Sequence, residues 1–212
     1  MLIPKEFIEI IPFALAAAIS PLIFTVALLV ASQKNNSFLK SMLFLLGAFV
    51  SISAIGSAIF IFLSRVSPAR QPTAGDAVID LLIGVLLIGF AIFQMLSKKT
   101  KNKASNNLSG YKTLAMGVIF MALNTSTIIM FLPAAHVASY YSDGVKIELL
   151  AVMIFFALLP VLIPPVMLVL IKSKNRIDSI KDIVNTKGQY IVAAVFGLLG
   201  IFELIKAFRV LI

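Results

Sequence analysis

The sequence predicts an all-α integral membrane protein of six transmembrane helices, arranged as two inverted three-helix repeats. Three observations carry this expectation. Of the 212 residues, 60% are hydrophobic and 13% charged, against ~45–50% and ~25% in soluble domains, so too little polar surface exists for a water-soluble chain. Six runs reach the ~20 mainly apolar residues that a helix needs to cross a bilayer. A basic loop divides these runs three and three, and an odd number of spans turns the second half over relative to the first.

The first run, Ile10–Ala31, follows Lys5 and passes through Ala16-Ala17-Ala18, as a cleavable signal would. It continues to Ala31, too long for a signal core, and is expected to stay as a helix. Pro21, with Ser20 before it, falls halfway along and removes a backbone donor. In the second run, Ser41–Leu63, the small residues Gly47, Ser51, Ser53, Gly56 and Ser57 permit close helix packing. The third, Val78–Leu96, begins with Asp80 near its outer end, where a carboxylate can reach lipid headgroups. The fourth, Leu114–Val137, carries Asn124-Thr125-Ser126-Thr127 at its middle, then Pro133 and His136 near the outer end, where histidine is expected to be interfacial. Polar groups at mid-membrane need partners, so this patch and Ser20 should face each other or a wet cavity. The fifth, Leu149–Ile171, has Pro160, Pro164 and Pro165, expected to break it into half-helices that act as a gate. The sixth, Tyr190–Ile212, holds Glu203 with Lys206 three residues on. That spacing allows an ion pair, and the depth of Glu203 leaves a proton-coupling role open.

The repeat divides the chain into residues 1–97, a basic linker at 98–112, and residues 113–212. Two short matches support it: Ala91-Ile92-Phe93-Gln94-Met95-Leu96 against Gly200-Ile201-Phe202-Glu203-Leu204-Ile205, and Ala18-Ile19-Ser20-Pro21 against Ala122-Leu123-Asn124-Thr125. Six spans leave only Lys5, Arg65, Arg70, Lys146, Lys206 and Arg209 on one side. The other side carries the remaining cations, including Lys98–Lys103, and should be cytoplasmic. Both termini then face outward, and the basic loop touches anionic lipid rather than nucleic acid.

With no cysteine and one histidine, disulfides, thiolate sites and histidine-clustered metal sites are excluded. No cofactor is expected. No nucleophile-base or paired-carboxylate constellation lies at matching depth, so an enzyme is not expected either. The candidate substrate site is Ser20, Pro21, Asn124, Thr125 and Thr127, with Pro160, Pro164 and Pro165 as gating residues and Glu203 as a coupling residue.

The Ala-rich first helix with Ala17-Ala18-Ile19-Ser20-Pro21, Gly47 in the second span, the basic central loop and Asn124 in the fourth resemble the lysine exporter (LysE) superfamily. The likeness covers nearly the whole chain and is nearest to the Sap-like branch, associated with moving glycolipids to the cell surface. Leu22-Ile23 follows Ser20-Pro21 where amino-acid exporters have Gly-Pro, which points away from lysine or threonine export. The resemblance implies an inner-membrane exporter of a lipid-linked or other amphiphilic envelope substrate. Its partners would be membrane lipids, that substrate and, in a homo-oligomer, further copies of the chain. Two alternatives stand beside it: efflux of an amino acid or other small metabolite, and a non-transporting scaffold for envelope assembly.

Overall fold

Two of the six apolar runs are broken near their middles, and each break has a local cause. The computed structural model describes residues 4–33, 35–66, 74–96, 109–170 and 174–211. They form α1 (Lys5–Ala17), α2 (Pro21–Ala31), α3 (Ser37–Val66), α4 (Ala74–Leu96), α5 (Gly110–Ala122), α6 (Thr125–Ser139), α7 (Asp143–Leu170) and α8 (Lys174–Leu211). No strand occurs among the described residues. Helices α3, α4, α7 and α8 each contain a stretch long and apolar enough to cross a bilayer. The pairs α1–α2 and α5–α6 reach that length only together, bent by 60° and 54°. The protein is therefore a multi-pass membrane protein, with four candidate spans among the described residues, or up to six if each bent pair is one. The basic stretch Lys98–Lys103 lies outside the described residues, as does most of the expected linker.

The first break follows from Pro21. Its ring excludes a bond to the carbonyl four residues back, at Ala17, and pushes the preceding residue toward extended backbone. Ser20 has φ −129° and ψ 94°, and Pro21 becomes the first residue of α2, where its missing N–H costs nothing. The second break contains no proline. Asn124 has φ −78° and ψ 72°, and the amide of Thr125 donates to the carbonyl of Leu123 at 2.9 Å. This is an inverse γ-turn.

Packing depends on glycine at two crossings. A Cβ on Gly47 of α3 would collide with the Leu114 carbonyl of α5, and one on Gly117 of α5 would collide with the Phe44 carbonyl of α3. Gly84 of α4 and Gly200 of α8 are paired in the same way, each placing a Cβ 3.0 Å from the other's carbonyl oxygen. Backbones in such contact cannot be separated by a side chain without moving a whole helix. Gly47→Leu is therefore expected to eliminate the folded, monodisperse protein in size-exclusion chromatography. Gly89→Ala, where an added Cβ meets nothing within 4 Å, should elute as wild type. The core gathers Phe13, Phe44, Phe131 and Phe196, and Phe131 meets Phe60 edge-on with centroids 6.3 Å apart. Outside, Leu82, Val85, Phe93, Ile201 and Phe202 form part of an extensive apolar surface that suits lipid.

Three expectations are corrected here. α7 runs unbroken from Asp143 to Leu170 through Pro160, Pro164 and Pro165, rather than as two half-helices. The missing donors free the carbonyls of Phe156, Pro160 and Val161, largely one helix face, while α1, α2, α3 and α6 pack around α7 and hold it. Asp80 is 2% exposed rather than open to the headgroups, and His136 is fully enclosed by protein. Both are drawn inward because they bond each other, as described next.

Candidate functional site

The two breaks meet in the interior. Ser20 Oγ donates to Asn124 Oδ1 at 3.0 Å, joining the residues that start α2 and α6. Ser126 Oγ donates to the same oxygen at 2.8 Å. The Asn124 amide nitrogen donates to Thr127 Oγ1 at 2.6 Å and approaches Met121 Sδ at 3.9 Å. Thr127 Oγ1 in turn donates to the Ala17 carbonyl at 3.0 Å. That carbonyl is the one Pro21 deprives of its helical partner, so a side chain from the second half completes the first half's backbone.

This junction is closed, with Ser20 4%, Asn124 3% and Thr127 1% exposed. Neither Ser20 nor Asn124 spends its side chain on capping its own helix. Each helix start carries roughly half a positive charge from its unpaired amides, and together they make a setting suited to an anionic group. Among the residues expected here, Ser20, Asn124 and Thr127 come together and Pro21 creates the opening. Thr125 does not join them: it is exposed and donates to the Leu123 carbonyl at 3.3 Å. Ser126, from the same polar run, takes the place expected for Thr125. The prolines of α7 are not in the hydrogen-bonded set.

Glu203 belongs to a second cluster, where α4 begins and α6 and α8 end. Asp80 Oδ1 accepts from His136 Nε2 at 3.0 Å and from Lys206 Nζ at 3.1 Å. Lys206 also lies 3.6 Å from Glu203 Oε2, the anticipated i,i+3 pair. The Tyr140 hydroxyl is 3.2 Å from His136 Nε2 and hydrogen-bonds Asp76. Burial, with the charges of Asp76 and Asp80, pushes that hydroxyl above the usual phenol range. A signal for this cluster exists in the sequence: Asp76 and Asp80, His136 and Tyr140, and Glu203 and Lys206 are each about one helical turn apart.

Between α6 and α7, Tyr141 donates to Glu9 Oε2 of α1 at 2.8 Å. Burial, and then the bond to Glu9, push its hydroxyl up to about 12. The folded pKa exceeds the unfolded value of ~10, so this contribution to stability is complete below that value and is lost as pH rises through the folded one. Ultraviolet titration should find a tyrosinate step near pH 12 that is missing from Tyr141→Phe.

A family model described as Sap, sulfolipid-1-addressing protein, matches residues 10–208. Comparison with curated proteins and with solved structures found no match. The matched stretch takes in both breaks, their junction and the ionisable cluster, and on that extent the chain belongs to the Sap (sulfolipid-1-addressing protein) family.

Proposed function

We propose that this protein is a transporter that exports an amphiphilic, lipid-linked envelope substrate bearing an anionic group. The observation that carries the reading is the Ser20–Asn124 bond, which ties two uncapped half-helix starts together at one polar point inside an apolar protein. Discontinuous helices whose N-termini face a central site are a recurrent way for transporters to hold an anionic substrate. The name of the family points to a sulfated lipid as its cargo, and a sulfate is the kind of group that two such helix starts attract.

An inverted repeat gives this site its symmetry. Matching α1 with α5, α2 with α6, α3 with α7 and α4 with α8 pairs Ser20 with Asn124, and three pairs of helix contacts support that matching. The α2–α7 contact is mirrored by α3–α6, α2–α3 by α6–α7, and α2–α8 by α4–α6. On this reading residues 1–97 and 113–212 are the two halves, six spans cross the inner membrane with both termini outside, and the chain is a LysE-superfamily exporter rather than an enzyme. Entry of substrate parts Ser20 from Asn124, Thr125 faces the approach, Pro160, Pro164 and Pro165 let α7 flex, and Glu203 contributes to coupling.

Proteoliposomes test this directly. Wild-type protein should move a labelled sulfated glycolipid between leaflets and leave a loaded amino acid inside, and Ser20→Ala should slow the lipid about tenfold, the weight of one charge-assisted hydrogen bond. Amino-acid efflux without lipid movement would overturn the lipid assignment. Lipid movement unchanged in Ser20→Ala would remove the junction from the path.

A further inference from the structure

Among the described residues the eight helices pack as two bodies. Helices α4 and α8 pack extensively on each other, with Gly84 and Gly200 in backbone contact and the rings of Phe90 and Phe196 4.9 Å apart. The other six interlock: α3 packs on α2, α5, α6 and α7, α1 on α6 and α7, and α2 on α7. Between the two bodies the described contacts are much sparser, running from α8 to α1 and α2 and from α4 to α6. A pair closed by glycine on glycine resists coming apart, whereas bodies joined by a small interface move against each other by default.

One of the sparse contacts falls beside the junction. A Cβ on Gly188 of α8 would lie 2.6 Å from Pro21 Cγ and 2.8 Å from its Cβ, so the backbone of α8 rests directly on the proline ring. Pro21 follows Ser20, whose hydroxyl closes the junction on Asn124. Gly188 is itself buried. A rigid ring cannot give way to a larger residue, and glycine weakens a helix, so its presence in α8 is explained by this seat. Further along α8, Lys206 bonds Asp80 of α4, which bonds His136 of α6 at 3.0 Å.

We propose that the α4–α8 pair swings on the rest of the protein about the Asp80–His136 bond, and that the seam between α2 and α8, at Pro21 and Gly188, is the lateral entry through which a lipid-linked anion reaches the junction. For its cargo this rests on the lipid reading above; the motion does not. From Gly188 to Lys206 is ~27 Å along α8, so a swing of ~15° moves Gly188 by ~7 Å. Helices packed through glycine have axes ~8 Å apart, and that swing nearly doubles the separation.

The border of the seam has the polarity of a lipid. Thr186 and Lys187, just before Gly188, are exposed and supply polar groups for a headgroup. Tyr190 and Ile191, just after it, are 54% and 48% exposed, and Leu22, beside Pro21, is 40% exposed. These offer apolar surface to acyl chains. A lipid entering here keeps its tails in the bilayer while its anionic headgroup reaches the helix starts behind Pro21, where a negative charge is favoured.

The chain has no cysteine, so single introduced thiols in the full-length protein in nanodiscs test the seam without any substrate. Ser20→Cys, at a position 4% exposed, should react slowly with a lipid-soluble maleimide. Adding Gly188→Leu, which props α8 off the ring, is expected to speed that reaction about tenfold or more, and Gly188→Ala to speed it less. Met130→Cys on α6, at a fully buried position, should stay slow throughout. An unchanged rate at Ser20→Cys overturns the proposal, and so does acceleration confined to a water-soluble maleimide, which puts the opening on an aqueous side. Equal acceleration at Met130→Cys means that Gly188→Leu has unfolded the chain, and spin labels on a chain that keeps Gly188 then decide. The distance from Tyr190→Cys on α8 to Ile119→Cys on α5 is expected to be broadly distributed, and that from Leu82→Cys on α4 to Tyr190→Cys narrowly. Equal widths overturn the proposal. Because no lipid cargo is added, failure of the lipid assay with these outcomes intact removes the cargo and leaves the seam.

Discussion

Asn124→Asp is expected to fold and insert normally but to lose transport of an anionic substrate by a hundredfold or more, on the order of 3 kcal/mol at the site. An aspartate has the same shape and can still accept from Ser20 and Ser126, as Asn124 Oδ1 does at 3.0 and 2.8 Å. Thr127 Oγ1 can shift off the new carboxylate oxygen while keeping its donation to the Ala17 carbonyl, and the starts of α2 and α6 favour a negative charge. What changes is that the positive setting is already occupied, so an incoming anion meets repulsion. Asn124→Leu makes the contrasting case. It leaves the Ser20 and Ser126 hydroxyls without their shared acceptor in a dry interior, at ~1–3 kcal/mol for each unpaired group, and should lower both transport and the thermal midpoint in detergent. Full lipid transport by Asn124→Asp would show that no anionic group approaches this residue.

Asp80→Asn should be the most destabilising of the conservative substitutions. A single oxygen, Oδ1, receives both His136 and Lys206, and breaking a buried pair by removing one partner costs ~3–5 kcal/mol because the other charge stays behind. The fall in thermal midpoint should be partly reversed in Asp80→Asn with Lys206→Gln, which withdraws the ammonium that has lost its shorter ion pair. An Asp80→Asn midpoint equal to wild type would mean that the pair contributes nothing to holding α4 against α8.

The two helix breaks were legible from sequence for different reasons. Pro21 announces its break by chemistry, since the carbonyl it strands is fixed by counting back four residues. The break at Asn124 was readable only as a run of polar side chains and by analogy with Ser20; its γ-turn depends on backbone angles that no residue type there dictates. Thr125 stands apart from the hydrogen-bonded set because its hydroxyl is exposed and bonds the Leu123 carbonyl, whereas Ser126 reaches Asn124. The prolines of α7 misled because their local effect was weighed without the four helices packed around them. Asp80 and His136 were assigned to the interface by depth alone. Each is tolerable as a buried group only because the other is present, and a contact between the third and fourth spans is not written in either one.

The hydrogen bond from Thr127 to Ala17 spans 110 positions in the chain, and this has a bearing on biogenesis. While the first three helices are being delivered to the bilayer, the residue that will satisfy the Ala17 carbonyl has not yet been synthesised. An unmet backbone group in hydrocarbon carries a penalty of several kcal/mol. The amino-terminal half is thus an unfinished object, held by water, lipid headgroups or the insertion machinery until α6 arrives. A ribosome stalled in the basic loop would expose just that opening to quality-control proteases, and supplying the carboxy-terminal half as a separate chain would close it.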